Sequence, residues 1–159
     1  MFSLFKKKNR ELLAACDGTV VPVTESSDET FASCMLGNGV MIHPQQGVVV
    51  APCTGEITVF MSDTKHAIGI RTEYGLEVMI HIGIDTVNLA GEGFTSDVSQ
   101  GGHVKAGDRL ITFDQALIEG KGYCCDVMEI VLNGAEFPEI EYQTGMKAEA
   151  GRTVVAVAK

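Results

Sequence analysis

The chain lacks several features that would assign it to common classes of protein. It has no tryptophan and only ten other aromatic residues among 159, so aliphatic side chains must build most of its core. It has no run of about 18 apolar residues, which a membrane-spanning helix requires, and its start has no apolar stretch as long as that of a signal peptide. We therefore expect a cytoplasmic protein, and 45% hydrophobic residues are sufficient for one well-buried domain.

Cysteines in a pairing pattern are also missing. The cysteines are odd in number and never spaced as Cys-x-x-Cys, so neither a disulfide framework nor a zinc knuckle is indicated. We expect reduced, buried thiols at all five positions, which are Cys16, Cys34, Cys53, Cys124 and Cys125.

Basic residues are scarce beyond the first ten positions. Four of the 12 basic residues lie within those positions, and the other eight face 21 acidic residues. Such a surface repels nucleic acid and attracts basic protein partners, so we expect no nucleic acid binding. We interpret residues 1–15 as a flexible or amphipathic leader to a domain at 16–159. Residues 1–10 are either a solvated tail or a weak contact for an anionic membrane surface.

Glycine and short β-rich segments are abundant instead. Eighteen glycines separate runs such as Gly47–Val50 and Leu76–Ile82, which favours many short strands over long helices. One short helix is predicted over Asp114–Gly120, with the aspartate as N-cap and the glycine at its end. The turn at 104–111 resembles the turn at 147–155, and two similar units that close on each other remove exposed strand edges. We therefore predict an all-β fold, a compact barrel-like β-sandwich with little helix.

Two histidines are predicted to lie together in one β-hairpin. Alternation over Leu76–Ile82 puts His81 on the opposite face of its strand from the aliphatic residues. A four-residue loop that ends at Gly75 places His66 directly opposite His81, with the Cβ atoms about 5 Å apart. Thr64 lies two residues further along on the His66 face.

This arrangement is suited to phosphoryl chemistry on a histidine. A largely neutral imidazole at His81 is a competent nucleophile for a phosphoryl group, and His66 can donate hydrogen bonds to the phosphoryl oxygens. We expect the Thr64 hydroxyl to fix the tautomer of His66. Gly83 allows a backbone carbonyl or a partner to approach closely and hold the His81 ring, which leaves one nitrogen free.

Other interpretations of the histidines remain open from the residues alone. His66 and His81 can be a stacked pair without a role, or can hold zinc, for which Asp85 is the only further ligand in view. His43 and His103, beside a proline and a glycine, are interpreted as surface turn residues without a chemical role.

Longer motifs around these residues are similar to those of a known family. Thr64–Ile70, Gly75–Val87 and Gly91–Phe94 resemble the signature of the glucose-type IIA phosphocarriers of the bacterial sugar phosphotransferase system. The similarity continues through Phe31–Gly39, Val49–Ile57 and Val104–Asp108, and it spans nearly all of residues 16–159.

The resemblance implies a compact β-sandwich with transferase activity. A histidine at the position of His81 takes a phosphoryl group from phospho-HPr and passes it to a cysteine of a sugar-specific IIB domain, with a phosphohistidine as transient intermediate. The same resemblance makes His66 the supporting histidine, Thr64 its hydrogen-bond partner and Asp85 a contact for an arginine of HPr. No cofactor is implied, and the phosphorylation state can also serve regulation.

The sequence departs from the family pattern at one turn. Where the family commonly has aspartate, a second acidic contact for the basic partner, this chain has Asn38, which keeps the turn chemistry without the charge. We expect a change in the affinity for HPr or in its salt dependence. Beside this turn, Val40, Met41 and Ile42 are either an apolar docking surface for partners or part of the core.

Three other functions fit parts of the sequence less well. A lipoyl or biotinyl carrier shares a turn like Val104–Asp108, and Met146–Ala148 offers a lysine, but the required Asp-Lys-Ala or Met-Lys-Met hairpin is absent. A zinc peptidase needs a His-x-His motif to complement His81 and Asp85, and this motif is absent as well. A binding module with idle histidines would keep its partners but would not be phosphorylated through HPr.

Overall fold

Residues 10–159 are described by a computed structural model, and they form three β-sheets with very little helix. The strands in chain order are β1 Glu11–Leu13, β2 Gly18–Pro22, β3 Gly39–Pro44, β4 Val48–Val50, β5 Gly55–Phe60, β6 Ala67–Arg71, β7 Glu77–Ile82, β8 Phe94–Thr95, β9 His103–Val104, β10 Arg109–Phe113, β11 Val127–Val131, β12 Ile140–Tyr142, β13 Lys147–Ala148 and β14 Val154–Ala158. The helices are α1 Glu29–Ala32 and α2 Gln115–Gly120, with 3₁₀ turns at Val23–Glu25, Thr86–Leu89 and Gly134–Glu136.

The largest sheet has eight strands in the order β13-β2-β3-β11-β7-β6-β5-β9, and two three-stranded sheets have the orders β1-β14-β12 and β4-β10-β8. Side chains from all three sheets meet in one core of mainly aliphatic residues. Within residues 10–159 none of the sheets closes on itself. The all-β prediction and the sandwich are therefore confirmed, without closure into a barrel.

Strand β7 alternates as its sequence predicts. Val78, Ile80 and Ile82 are buried in the main core, whereas Met79 and His81 are half-buried on the other face. A fully buried isoleucine contributes about 1.5–3 kcal/mol to folding, so the aliphatic row determines which face the sheet turns inward. His81 is consequently presented on the outer face.

The register of the hairpin β6–β7 differs from the prediction by one residue. Ala67 pairs with His81, and Arg71 pairs with Glu77, so the connection has five residues instead of four. In the observed register Ile68 opposes Ile80 on the buried face, whereas the predicted register would have set it against Met79. Because a shift of one residue exchanges the faces of a strand, burial of the isoleucines selects the observed pairing.

A second, smaller apolar cluster covers part of the outer face of the large sheet. Helix α1 and the preceding 3₁₀ turn supply two of its members and the strands supply three; the cluster is Val23, Phe31, Met41, Met128 and Ile130. It lies beside His81, since Met128 is the cross-strand partner of that histidine.

Both short helices begin at an aspartate N-cap. The Asp28 side chain accepts a hydrogen bond from the Thr30 N–H (3.0 Å), and Asp114 accepts one from the Leu117 N–H (3.1 Å). The second helix ends at Gly120, as its sequence predicts. Such a cap contributes about 1 kcal/mol, which is substantial for helices of one or two turns.

The large sheet consists of two matching halves. Counted outward from its centre, β11, β3 and β2 on one side occupy the same positions as β7, β6 and β5 on the other. The segments that lead into β2 and β5 correspond as well. The Leu13 N–H donates to the Pro52 carbonyl (2.9 Å), and the Val50 N–H donates to the Ala15 carbonyl (2.8 Å). Leu13 thus corresponds to Val50, and Ala15 corresponds to Pro52.

The resemblance between the turns at 104–111 and 147–155 reflects the same duplication. The Gly107 N–H donates to the Ala51 carbonyl (2.8 Å), and the Gly151 N–H donates to the Ala14 carbonyl (2.9 Å). Each turn leads into a strand of a small sheet, β10 or β14.

The expected leader extended too far into the chain. Residues 1–9 and their predicted membrane contact lie outside the described residues. Strand β1 pairs with β14, and Leu12, Ala14 and Ala15 are buried. Residues 11–15 therefore belong to the domain, because their apolar side chains complete its core.

Candidate functional site

His81 is held by the backbone two residues further on. Its Nδ1 lies 2.9 Å from the carbonyl oxygen of Gly83. A carbonyl oxygen only accepts hydrogen bonds, so Nδ1 must carry the proton, and in the neutral ring Nε2 has the free lone pair. The expectation that a backbone carbonyl holds this ring is met.

Gly83 is required for this contact. Its φ of +77° lies in the left-handed region, and a Cβ atom built on it would be 2.6 Å from the Cys124 carbonyl oxygen. Only glycine fits both conditions without strain. The glycine therefore allows its carbonyl oxygen to reach Nδ1 of His81.

His66 adjoins His81 from the end of the neighbouring strand. The ring centroids are 4.9 Å apart, and the ring planes are nearly perpendicular. In the observed register His66 follows Lys65, which has a left-handed φ of 54°, and the His66 carbonyl accepts a hydrogen bond from Ile82. The two histidines are adjacent as predicted, but through a bend at the strand end and not as a directly opposed pair.

Thr64 does not make its predicted hydrogen bond. Its Oγ1 and the Nδ1 of His66 are both buried, and neither has a hydrogen-bond partner within residues 10–159. The prediction assumed a regular strand through residues 64–66, whereas the chain turns at Lys65 and redirects the threonine. Thr64 is near the site in sequence without fixing the tautomer of His66 in this structure.

Burial keeps both imidazoles neutral. Desolvation, with a smaller effect from His81, lowers the pKa of His66 to about 4. Desolvation also lowers the pKa of His81, against the opposing influence of the Gly83 carbonyl and of the carboxylates Asp28 and Asp85. Near neutral pH the site therefore offers an uncharged His81 with Nε2 as a nucleophile.

Asp28 and Phe31 are site residues that sequence reasoning did not select. The Phe31 ring lies 5.0 Å from the His81 ring, tilted by 56°. Asp28 caps the same helix, and its charge acts on His81. The N-cap pattern at Asp28 was visible in the sequence, but the packing of α1 against β7 joins residues about 50 positions apart and left no local signal.

Asn38 has a structural role in its turn. The side chain is exposed, and its Oδ1 accepts hydrogen bonds from the Gly39 N–H (2.8 Å) and the Cys34 thiol (3.8 Å). The second acidic group that acts on His81, besides Asp85, is Asp28. That Asn38 lacks an acidic contact for HPr stays a prediction.

Val40, Met41 and Ile42 do not form a docking surface. They are only 1%, 2% and 0% exposed, because β3 lies within the large sheet with both faces covered. Val40 and Ile42 face the main core, and Met41 lies in the second cluster. Exposed large apolar side chains occur elsewhere, at Met35, Leu36, Val59, Met61, Val87 and Leu132.

Residues 10–159 contain neither a cluster of potential metal ligands nor a long apolar helix. No group of three or more histidine, cysteine, aspartate or glutamate side chains is arranged to hold a metal ion there. No helix in that part of the chain is long and apolar enough to cross a membrane.

The fold and the site define a β-sandwich protein in which a histidine with a free Nε2 lies beside a second, neutral histidine. The family model described as the phosphoenolpyruvate-dependent sugar phosphotransferase system, EIIA 1, matches residues 10–137, and the chain belongs to this family. The resemblance found in the sequence is thereby confirmed.

Named relatives agree with this assignment. The chain is 43% identical over 156 residues to a "PTS system glucose-specific EIIA component" of Bacillus cereus, covering 98% of this chain and 94% of the relative. A solved structure of glucose permease IIA from Mycoplasma capricolum superposes with a TM-score of 0.86 at 37% identity, covering 96% of this chain and 97% of that one. A mannose-specific EIIBCA component of Corynebacterium glutamicum is 37% identical over 147 residues, 92% of this chain and 21% of that protein.

Proposed function

We propose that the chain is a phosphocarrier, which accepts a phosphoryl group from phospho-HPr on Nε2 of His81 and passes it to a cysteine of a sugar-specific IIB domain. The observation that supports this proposal best is the hydrogen bond between His81 Nδ1 and the Gly83 carbonyl. It leaves Nε2 unprotonated and oriented before any partner arrives.

In the first step the Nε2 lone pair forms a bond to phosphorus while the bond from phosphorus to the donor atom of HPr breaks. The donor atom keeps the electron pair of that bond. In the second step the IIB cysteine thiolate attacks phosphorus, and the P–N bond breaks with its electrons returning to Nε2. His81 thus ends each cycle as the neutral imidazole with which it began.

His66 is suited to steady the phosphoryl group. Its ring lies against His81, and its own pKa is too low for it to become a competing charge near neutral pH. A neutral imidazole can still donate one N–H to a phosphoryl oxygen. We assign this role to His66 and the role of covering one face of the His81 ring to Phe31.

The charge around the site fits a basic partner. Asp28 and Asp85 act on His81 from two different elements, and the chain as a whole has a formal charge of -9. Arginines of HPr would form ion pairs with these carboxylates and would also neutralise the charge of the phosphoryl oxygens during transfer. Phosphorylation adds about two negative charges, so partner affinity, and with it regulation, can depend on the state of His81.

Intact-mass analysis tests the proposal. After incubation with phosphoenolpyruvate, enzyme I and HPr, the native chain should gain one acid-labile phosphoryl group, and His81→Ala should gain none. His66→Ala should accept the group but pass it poorly to a IIB domain. His103 is an exposed histidine on β9. His103→Ala is therefore the matched control and should behave as the native chain does. An unmodified native chain, or a phosphorylated His81→Ala variant, would exclude the proposal.

A further inference from the structure

The orientation of His81 depends on one peptide group, the one that joins Ile82 to Gly83. Its N–H donates to the Asp126 carbonyl (2.7 Å), and its carbonyl, that of Ile82, accepts a hydrogen bond from the Thr86 hydroxyl. The peptide is therefore fixed at both ends. The next carbonyl along the chain is that of Gly83, which accepts from His81 Nδ1.

Thr86 fits this location through both branches of its side chain. The residue is fully buried at the start of the 3₁₀ turn Thr86–Leu89, after Asp85 with its left-handed φ of 61°. A buried hydroxyl needs a partner, and the Ile82 carbonyl supplies it. The methyl group Cγ2 occupies the space at Gly83 where a Cβ would lie, 2.4 Å from that position.

We propose that Thr86 is a positioning residue for His81, which fixes the Ile82–Gly83 peptide so that the Gly83 carbonyl selects the Nδ1-protonated tautomer. Thr86 does not touch the phosphoryl group. It acts through two backbone carbonyls, of which the second holds the imidazole. The kinetic consequence rests on the proposed phosphocarrier function, whereas the effect on the tautomer does not.

The tautomer matters because a neutral imidazole carries its single proton on one nitrogen only. If the Gly83 carbonyl moves away, a fraction of the molecules carries the proton on Nε2, and these molecules have no lone pair at the attacking nitrogen. A hydrogen bond of this kind is worth about 1 kcal/mol. Loss of the bond between His81 and Gly83 should lower the ratio of Nδ1-protonated to Nε2-protonated molecules by about fivefold, and the rate of phosphoryl acceptance should fall by at most this factor.

Two variants of Thr86 separate its hydroxyl from its methyl group. Thr86→Val keeps the branched shape and removes the hydroxyl, while Thr86→Ser keeps the hydroxyl and removes the methyl group. Nitrogen-15 NMR of the unphosphorylated proteins reports the His81 tautomer directly. The native chain and Thr86→Ser should show a single Nδ1-protonated form, and Thr86→Val should show a mixture together with slower acceptance from phospho-HPr.

A Thr86→Val variant that is folded, as judged by its thermal unfolding, and still shows only the Nδ1-protonated form would overturn the inference. If this variant does not fold, the native chain decides instead. The Thr86 hydroxyl proton should exchange slowly with water, and exchange as fast as that of an exposed hydroxyl would overturn the inference. If the tautomers change as expected although neither the native chain nor any variant accepts a phosphoryl group from phospho-HPr, the proposed function fails and the positioning role of Thr86 stands.

Discussion

Gly83 shows how much of the site depends on a residue without a side chain. Its left-handed backbone turns the chain after β7 and brings a carbonyl back to the histidine two residues before it. Local reasoning predicted this contact because a glycine two positions after a candidate nucleophile is itself a sequence signal. Thr64 was also chosen by spacing, but its side-chain direction depends on the φ of Lys65, which spacing does not reveal.

Gly83→Ala should be markedly more destabilising than an alanine at another left-handed glycine. The new Cβ would meet the Cys124 carbonyl oxygen at 2.6 Å, and we expect a loss of roughly 3 kcal/mol in the free energy of unfolding. Gly101→Ala is the matched control, because Gly101 has φ +90° and no atom within 4 Å of its Cβ position. This control should lose about 1 kcal/mol. Urea unfolding measures both, and equal losses would contradict the steric argument.

At the scale of elements, strand β7 was predictable and its partner register was not. Alternation of Val78, Ile80 and Ile82 with polar positions is a local pattern, and it correctly put His81 on the outer face. The loop length that determines the register depends on pairing energies across β6, where Ile68 must face the core. The contact of Phe31 with His81 and the effect of the Asp28 charge on that histidine depend on helix packing, which no local pattern encodes.

Strand β11 carries a buried carboxyl group that the proposed function does not use. Glu129 is 2% exposed, its Oε1 accepts a hydrogen bond from the Ala15 N–H (3.0 Å), and its Oε2 has no partner within residues 10–159. Burial raises its pKa to about 8, against the influence of the Ala15 N–H. Burial, and then the charge of Glu129, raise the pKa of the thiols of Cys16 and Cys53.

The free energy of unfolding should fall as pH rises from 6.5 to about 8. The folded chain holds the Glu129 proton up to about pH 8, whereas a free carboxyl releases it near 4.5, so stability present at low pH is lost through this range, by up to about 1.4 kcal/mol per pH unit. His66, whose pKa is lowered to about 4, contributes the opposite slope only below its ordinary value of 6.5.

Urea unfolding at several pH values from 6.5 to 8, below the range in which free thiols titrate, measures this slope. Glu129→Gln should flatten it, because an amide does not titrate. Glu149→Gln, at an exposed position, is the control and should keep the native slope. A slope that persists in Glu129→Gln would assign the titration to another group.

At the scale of the whole molecule, we attribute the unpaired oxygen of Glu129 to a difference between the two matching halves of the large sheet. Glu129 pairs with Ile80 where the two halves of the large sheet meet. One half offers the Ala15 N–H to Oε1. The corresponding residue of the other half is Pro52, which has no N–H to offer.

Pro52→Ala should supply the missing donor. An N–H at this position would bind Oε2, stabilise the carboxylate and lower the pKa of Glu129. The slope of stability against pH between 6.5 and 8 should therefore shrink, as measured in the same urea series. Pro138→Ala, at an exposed position, should leave the slope as it is. An unchanged slope in Pro52→Ala would mean that the two halves do not correspond closely enough to place a donor there.

The duplicated sheet also offers an internal comparison for the site itself. Gly39 and Ala67 begin corresponding strands and pair with Ile130 and His81, so Ile130 occupies in one half the place that His81 has in the other. Two residues further on, the first half has Leu132 where the second has Gly83. Leucine does not adopt the left-handed backbone without strain. One molecule thus contains two corresponding strands, and the strand with the proposed nucleophile is the one that is followed by a left-handed glycine.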